Sequence, residues 1–142
     1  MLLVRHAKAG NPDKWAPPDD LRPLTARGEA QARTLVTLLA DFEIVRVLSS
    51  PYLRCAQTVA PLAAALGRAV EPTDDLAEGQ GPAGLVLVRS LVWAAGHTVL
   101  CTHGDVVEEV LDGLGVRRDD GTRKGATWVL DGIDARHLPP PD

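Results

Sequence analysis

Met1-Leu2-Leu3-Val4-Arg5-His6-Ala7 opens with four apolar residues and then turns abruptly to an arginine, a histidine and a small residue. Thr98-Val99-Leu100-Cys101-Thr102-His103-Gly104 repeats the pattern near the other end of the chain. A short apolar run rich in branched side chains and closed by turn-like residues reads as a buried β-strand. Each histidine therefore falls at a strand's carboxyl end. Leu48-Ser49-Ser50-Pro51-Tyr52-Leu53-Arg54 makes a third such ending, with Arg54 opening a helix. Ligands of open α/β sheets bind in the crevice outside these ends. Two imidazoles, His6 and His103, and two guanidiniums, Arg5 and Arg54, are thus delivered to one place. This is the chemistry of a phosphate site with a histidine nucleophile.

Working outward, strand and helix alternate. Met1 to Val4 is the first strand, and a loop rich in proline and aspartate runs from Gly10 to Pro23. Thr25 has the chemistry of an N-cap for a helix reaching about Ala40, with Leu35, Leu38 and Leu39 on its inner face. A second strand lies within Glu43 to Ser49, and a second helix spans Tyr52 to Leu66, closed by Gly67. Ala69 to Pro72 is a short strand, Gly81 to Ala95 a third helix stopped by Gly96, and Thr98 to Thr102 the fourth strand. Asp105 to Leu114 is the fourth helix and Gly125 to Leu130 a last strand. The expected fold is α/β: a mostly parallel central sheet of about five strands, with helices on both faces. One domain, residues 1–136, is expected, followed by a tail, 137–142, whose prolines cannot join a sheet ladder.

A chain of 142 residues with 45% hydrophobic and 24% charged residues suits one globular domain. Its net charge of −4 offers no broad basic surface for nucleic acid or an anionic membrane, so neither is expected as a partner. The apolar stretch from Gly84 to Ala95 is interrupted by Arg89 and Ser90 and is too short to span a bilayer. No secretory leader is read at the start, and Cys55 and Cys101 read as two reduced thiols, so a cytoplasmic protein is expected.

A neutral histidine can attack phosphorus and carry the phosphoryl group until water removes it. His6 is the candidate nucleophile because Arg5 beside it can grip a phosphate oxygen with its planar fork. Arg54 adds a second fork, and His103 can donate to the charge growing on the transferred group. Arg22, in Leu21-Arg22-Pro23-Leu24-Thr25, can close the pocket from the loop side. Ser49 and Ser50 read as the turn before Pro51, with one hydroxyl near the pocket. Thr102 and Cys101 read as buried strand residues, and Tyr52 and Trp15 as candidates for the rim. His97 and His137 read as solvated. Asp19-Asp20, Asp74-Asp75 and Asp119-Asp120 have no histidine at ligand spacing and read as solvated loop charge, so no metal site is expected.

Together, Leu-Val-Arg-His-Ala, Arg-Pro-Leu-Thr-Ala-Arg-Gly, Ser-Ser-Pro-Tyr-Leu-Arg-Cys-Ala-Gln-Thr and Cys-Thr-His-Gly resemble the histidine phosphatase, or phosphoglycerate-mutase-like, superfamily. The resemblance runs from Met1 to about Leu114 and is closest to the SixA-type phosphohistidine phosphatases. It implies a covalent phosphohistidine at His6, with Arg5, Arg54 and His103 binding the phosphoryl group, no cofactor and no metal. The family's first motif usually reads Arg-His-Gly, and here Ala7 replaces the glycine. A left-handed backbone would strain an alanine there, but its methyl adds little bulk, so activity is expected to survive. Larger members place a glutamate between the two middle motifs to protonate the leaving group. Glu78 lies in that region and is the candidate acid, with a solvated loop carboxylate as the alternative.

Little chain separates Arg54 from His103, so a minimal fold without a lid subdomain is expected, with an open site. Such a site favours phosphohistidine displayed on a histidine-phosphotransfer protein, whose imidazole leaves readily once protonated. Arg123-Lys124-Gly125-Ala126-Thr127-Trp128 points elsewhere. It resembles the phosphatase half of actinobacterial proteins whose other half is a Nudix nucleotide hydrolase, which keeps nucleotides and other small phosphoesters open as substrates. A non-catalytic module binding phosphorylated proteins is the remaining alternative.

Overall fold

A computed structural model describes residues 1–118, 122–132 and 134–142. Six strands form one sheet: β1 (Leu2–Arg5), β2 (Ile44–Ser49), β3 (Val70–Pro72), β4 (His97–Thr102), β5 (Thr127–Asp131) and β6 (Asp134–Leu138). Their order is β3-β2-β4-β1-β5-β6, with the first four parallel and β5 and β6 antiparallel. Four α-helices flank the sheet among the described residues: α1 (Ala26–Leu38), α2 (Leu53–Leu66), α3 (Gly81–Leu91) and α4 (Gly104–Gly113).

Alternation along each strand divides its side chains between two cores, as a sheet covered on both faces requires. Leu2, Val4, Val47, Val99, Cys101 and Val129 pack against Leu35 and Leu39 from the α1 side and Val59 and Leu62 of α2. Leu3, Leu48, Leu100, Trp128 and Leu130 point the other way, onto Val88 of α3 and Val106, Val110 and Leu111 of α4. Thr25 caps α1 by accepting from the Gly28 N–H at 3.1 Å, and Gly67 ends α2 with φ 64°. No helix among the described residues is long and apolar enough to cross a membrane.

Three local expectations change. The sheet has a sixth strand: Asp134-Ala135-Arg136-His137-Leu138 pairs with β5 although it lacks an apolar run, because an edge strand needs only one buried side. The chain continues to pack beyond it, with the Pro141 carbonyl accepting from Gln31 Nε2 at 3.2 Å. α3 stops at Leu91, four residues early; Trp93 beyond it is 90% exposed and offers no further turn a buried face. His97 is not a solvated turn residue. It begins β4, its Nδ1 lies 2.7 Å from the Met1 amine, and its ring packs edge-on against Phe42. These residues line a cavity of about 420 Å³ at the amino ends of the strands, away from the two site histidines. His137, likewise read as solvated, is half-buried with its ring 5.0 Å from Trp128. Asp119-Asp120 lies outside the described residues.

Candidate active site

The register brings three strand ends level: Arg5 stands beside Thr102, and Ser49 beside Cys101. As the strands finish, the His6 N–H still donates to the Thr102 carbonyl and the Ser50 N–H to the Cys101 carbonyl, both at 2.9 Å. His103 is the N-cap residue of α4. The ladder thus places His6 and His103 with ring centroids 5.5 Å apart.

His6 is 5% exposed and its Nδ1 lies 2.8 Å from the Ala7 carbonyl. A carbonyl only accepts, so the proton belongs on Nδ1 and the lone pair on Nε2. Burial, followed by the positive fields of His103, Arg54 and Arg5, holds the ring's pKa down to about 3 against the pull of the Ala7 hydrogen bond. The neutral, nucleophilic form is therefore the resting form. Ala7 carries no backbone strain, since no non-glycine among the described residues has positive φ; its N–H donates to Thr58 Oγ1 at 2.9 Å.

The same depression sets a pH dependence. The unfolded chain binds a proton at this histidine near its ordinary pKa of 6.5, whereas the folded chain resists it until about 3. Stability is thus complete above pH 6.5 and is lost as pH falls toward 3. Between pH 7 and pH 5 the loss should be about 2 kcal/mol. Urea unfolding of wild type and His6→Gln at both pH values checks this; the variant should show a flatter profile by that amount, and equal slopes would contradict it.

His103 Nε2 lies 2.9 Å from Ser50 Oγ. That oxygen also accepts from the Tyr52 N–H at 3.2 Å. With the Ser50 hydroxyl assigned as the donor to Nε2, the imidazole N–H lies on Nδ1. Cys55 Sγ, 3.5 Å from Nε2, and the Tyr52 ring, 4.7 Å away, complete the surroundings of His103. Tyr52 also lies under the Arg54 guanidinium at 4.9 Å, which makes it part of the site. Trp15 instead folds onto its own loop, donating to the Pro18 carbonyl at 3.0 Å.

Arg5 is tied to the Thr122 carbonyl through Nη1 and lies against Gly104. A methyl at Gly104 would stand 2.9 Å from Arg5 Cζ, so the glycine after His103 is there to admit the guanidinium. Arg54 is 1% exposed. Its Nη1 donates to the Asp19 carbonyl at 2.9 Å, and its Nη2 meets Asp19 Oδ2 at 3.1 Å and Glu78 Oε2 at 3.4 Å. Arg22, also buried, donates from Nε to Asp19 Oδ1 at 2.9 Å and from Nη1 to the Gly10 carbonyl. The structure thus brings Arg22 and Glu78 to Arg54.

Asp19 corrects the view of Asp19-Asp20 as solvated charge, because one carboxylate bridges both arginines. Its place three residues before Arg22, in a short 3-10 turn, is the signal that marks it in the sequence. Burial opposes its charge, but hydrogen bonds and fields from Arg22 and Arg54 hold its carboxyl below the usual range. An incoming phosphoryl group must compete with this carboxylate. Asp19→Asn should therefore bind orthovanadate about tenfold more tightly. Inhibition constants for the two proteins check this, and equal or weaker inhibition of the variant would contradict it.

Three buried nitrogens in this cluster, Arg5 Nε, Arg54 Nε and, as a donor in the assigned tautomer, His103 Nδ1, have no hydrogen-bond partner among the described residues. Native folds leave few buried donors unmet, and a cluster of such donors suits the oxygens of an anion.

Comparison with known proteins agrees with this geometry. The profile of the histidine phosphatase superfamily (branch 1) matches residues 1–82. The 8-oxo-(d)GTP phosphatase of Mycolicibacterium smegmatis is 34% identical over 156 aligned residues, which include 100% of this chain but 48% of that protein. The chain thus spans about half the length of that relative. Among solved structures, the SixA protein of Agrobacterium tumefaciens superposes with a TM-score of 0.76 at 26% identity, covering 99% of this chain and 97% of that one. The protein histidine phosphatase SixA complexed with tungstate has the same fold, with a TM-score of 0.76 at 24% identity over 96% of this chain and 92% of that one. The four ordered motifs, the sheet that aligns them and the profile match agree, and the chain belongs to the histidine phosphatase superfamily.

Proposed function

We propose that this phosphatase removes the terminal phosphate of a small phosphorylated metabolite of the nucleotide class, through a phosphohistidine at His6 and without a metal. The observation that carries the catalytic part is the neutral His6 in a cluster with three buried donors that have no partner among the described residues. The terminal phosphoryl group lies between Arg5, Arg54 and His103, with Arg22 steadying Arg54 through Asp19. The Nε2–P bond forms as the bond to the leaving oxygen breaks, and that oxygen keeps the electron pair. Glu78, paired with Arg54 through Oε2, is the candidate general acid, and it must first take up a proton from solvent before passing it to the leaving oxygen. Water then attacks the phosphorus, the N–P pair returns to Nε2, and water's proton passes to Glu78 or to solvent.

The nucleotide class is supported by the relative aligned over the whole chain. A second reading, dephosphorylation of phosphohistidine on a phosphotransfer protein, is supported by the likeness to SixA and by the absence of added helices over the strand ends among the described residues. Phosphate release, measured with EDTA present, from nucleotides, sugar phosphates and a phosphohistidine-bearing protein separates the two. Turnover of nucleotides supports the first reading, and rapid release from the phosphoprotein alone replaces it with the second. Tight phosphate binding without turnover of any substrate would overturn both in favour of a binding module.

A further inference from the structure

Beside the phosphotransfer site, Lys8, Arg27, Arg123 and Lys124 line one cavity of about 330 Å³. The backbone fixes their meeting. The Gly125 N–H donates to the Arg5 and His6 carbonyls at 3.2 and 3.0 Å, which sets Lys124 next to the nucleophile's own peptide. The Thr25 N–H donates to the Lys8 carbonyl at 3.0 Å, and a methyl at Gly28 would stand 2.0 Å from that oxygen, so the first turn of α1 lies hard against Lys8. Gln31 accepts from the Lys8 N–H at 3.0 Å and closes the floor.

None of the four cations forms an ion pair or a side-chain hydrogen bond among the described residues, and the one acid in the lining is Asp142. Burial, then the fields of Arg5, Arg22, Lys8 and Arg54, lowers the Lys124 pKa. In a chain of net charge −4, four cations that share one hollow with a single acidic residue give it a positive field that attracts an anion.

We infer that this hollow is a subsite for a second phosphate, so that the substrate is a nucleoside diphosphate or a similar diphosphate ester whose terminal phosphate is transferred to His6. The inference rests on the small-phosphoester reading above. The penultimate phosphate sits among Lys8, Arg27, Arg123 and Lys124 while the terminal one meets His6. Nε2 bonds to the terminal phosphorus, the bond to the bridging oxygen breaks, and the monophosphate leaves with the electron pair. A phosphate leaving group departs as a stable anion and asks little of a general acid. Water releases inorganic phosphate as described above.

The test compares GDP with GMP on wild type and on Arg27→Ala/Arg123→Ala, both exposed positions whose loss should leave the fold intact. Wild type should favour GDP in kcat/KM, and the double variant should lose at least about tenfold more on GDP than on GMP. Parallel losses, or a wild-type preference for GMP, would overturn the subsite. If wild type hydrolyses neither nucleotide, the small-phosphoester reading fails and calorimetry decides the subsite separately. His6→Ala should bind inorganic pyrophosphate at least about tenfold more tightly than phosphate, and the two arginine substitutions should erase that difference. Equal binding of the two anions would overturn it, as would a loss confined to a phosphorylated protein substrate, which would make the hollow a dock for an acidic partner.

Discussion

Replacing His6 with alanine should lower kcat/KM by about 10^4- to 10^6-fold, because the covalent route disappears and only the anion receptor remains. The measurement is steady-state phosphate release, with phosphate affinity as the control. Arg5, Arg54 and His103 do not depend on the imidazole for their positions: Arg5 is held by Thr122 and Gly104, Arg54 by Asp19 and Glu78, and His103 by Ser50. His6→Ala should therefore bind inorganic phosphate within about threefold of wild type. A variant keeping more than a hundredth of the wild-type rate would exclude His6 as the nucleophile.

Arg54→Ala should lower kcat/KM by about 10^2- to 10^3-fold, the usual cost of removing one principal donor from a site of developing charge. It should also destabilise the fold by about 2 kcal/mol. The side chain is 1% exposed, and its loss leaves Glu78 without its cation and Asp19 with Arg22 alone. Those carboxylates are half-exposed, which keeps the penalty below that of a fully buried pair. Arg54→Lys should recover less than tenfold of the lost activity, since an ammonium cannot serve Asp19, Glu78 and a phosphoryl oxygen through one planar fork. Kinetics on p-nitrophenyl phosphate and thermal melting of the same preparations check both effects. Full rescue by lysine would show that Arg54 supplies charge alone.

The elements legible in the sequence are those whose pattern is set by burial on two faces. Met1 to Val4 and Val99 to Cys101 are continuous apolar runs because alternate residues enter two different cores, and the histidines follow because each run must end. The same pattern puts Arg5, His6, Arg54 and His103 at neighbouring strand ends. What escaped depends on contacts between segments far apart in the chain. β6 is an edge strand recognised only by its pairing with β5, and His97 is placed by the Met1 amine and Phe42. Asp19 resembles any loop aspartate until Arg54, thirty-five residues away, is folded against it. The turn reading puts a serine hydroxyl near the pocket, but the contact of Ser50 Oγ with His103 Nε2 needs two segments fifty-three residues apart to meet.

The covalent intermediate at His6 is the claim on which the chemistry turns, and rapid quenching with radiolabelled p-nitrophenyl phosphate tests it directly. Wild type should hold an acid-labile, alkali-stable label that mass spectrometry places on His6, formed and lost at rates compatible with turnover, and His6→Ala should hold none. Turnover without any bound label, or a label of the same yield on His6→Ala, would contradict it.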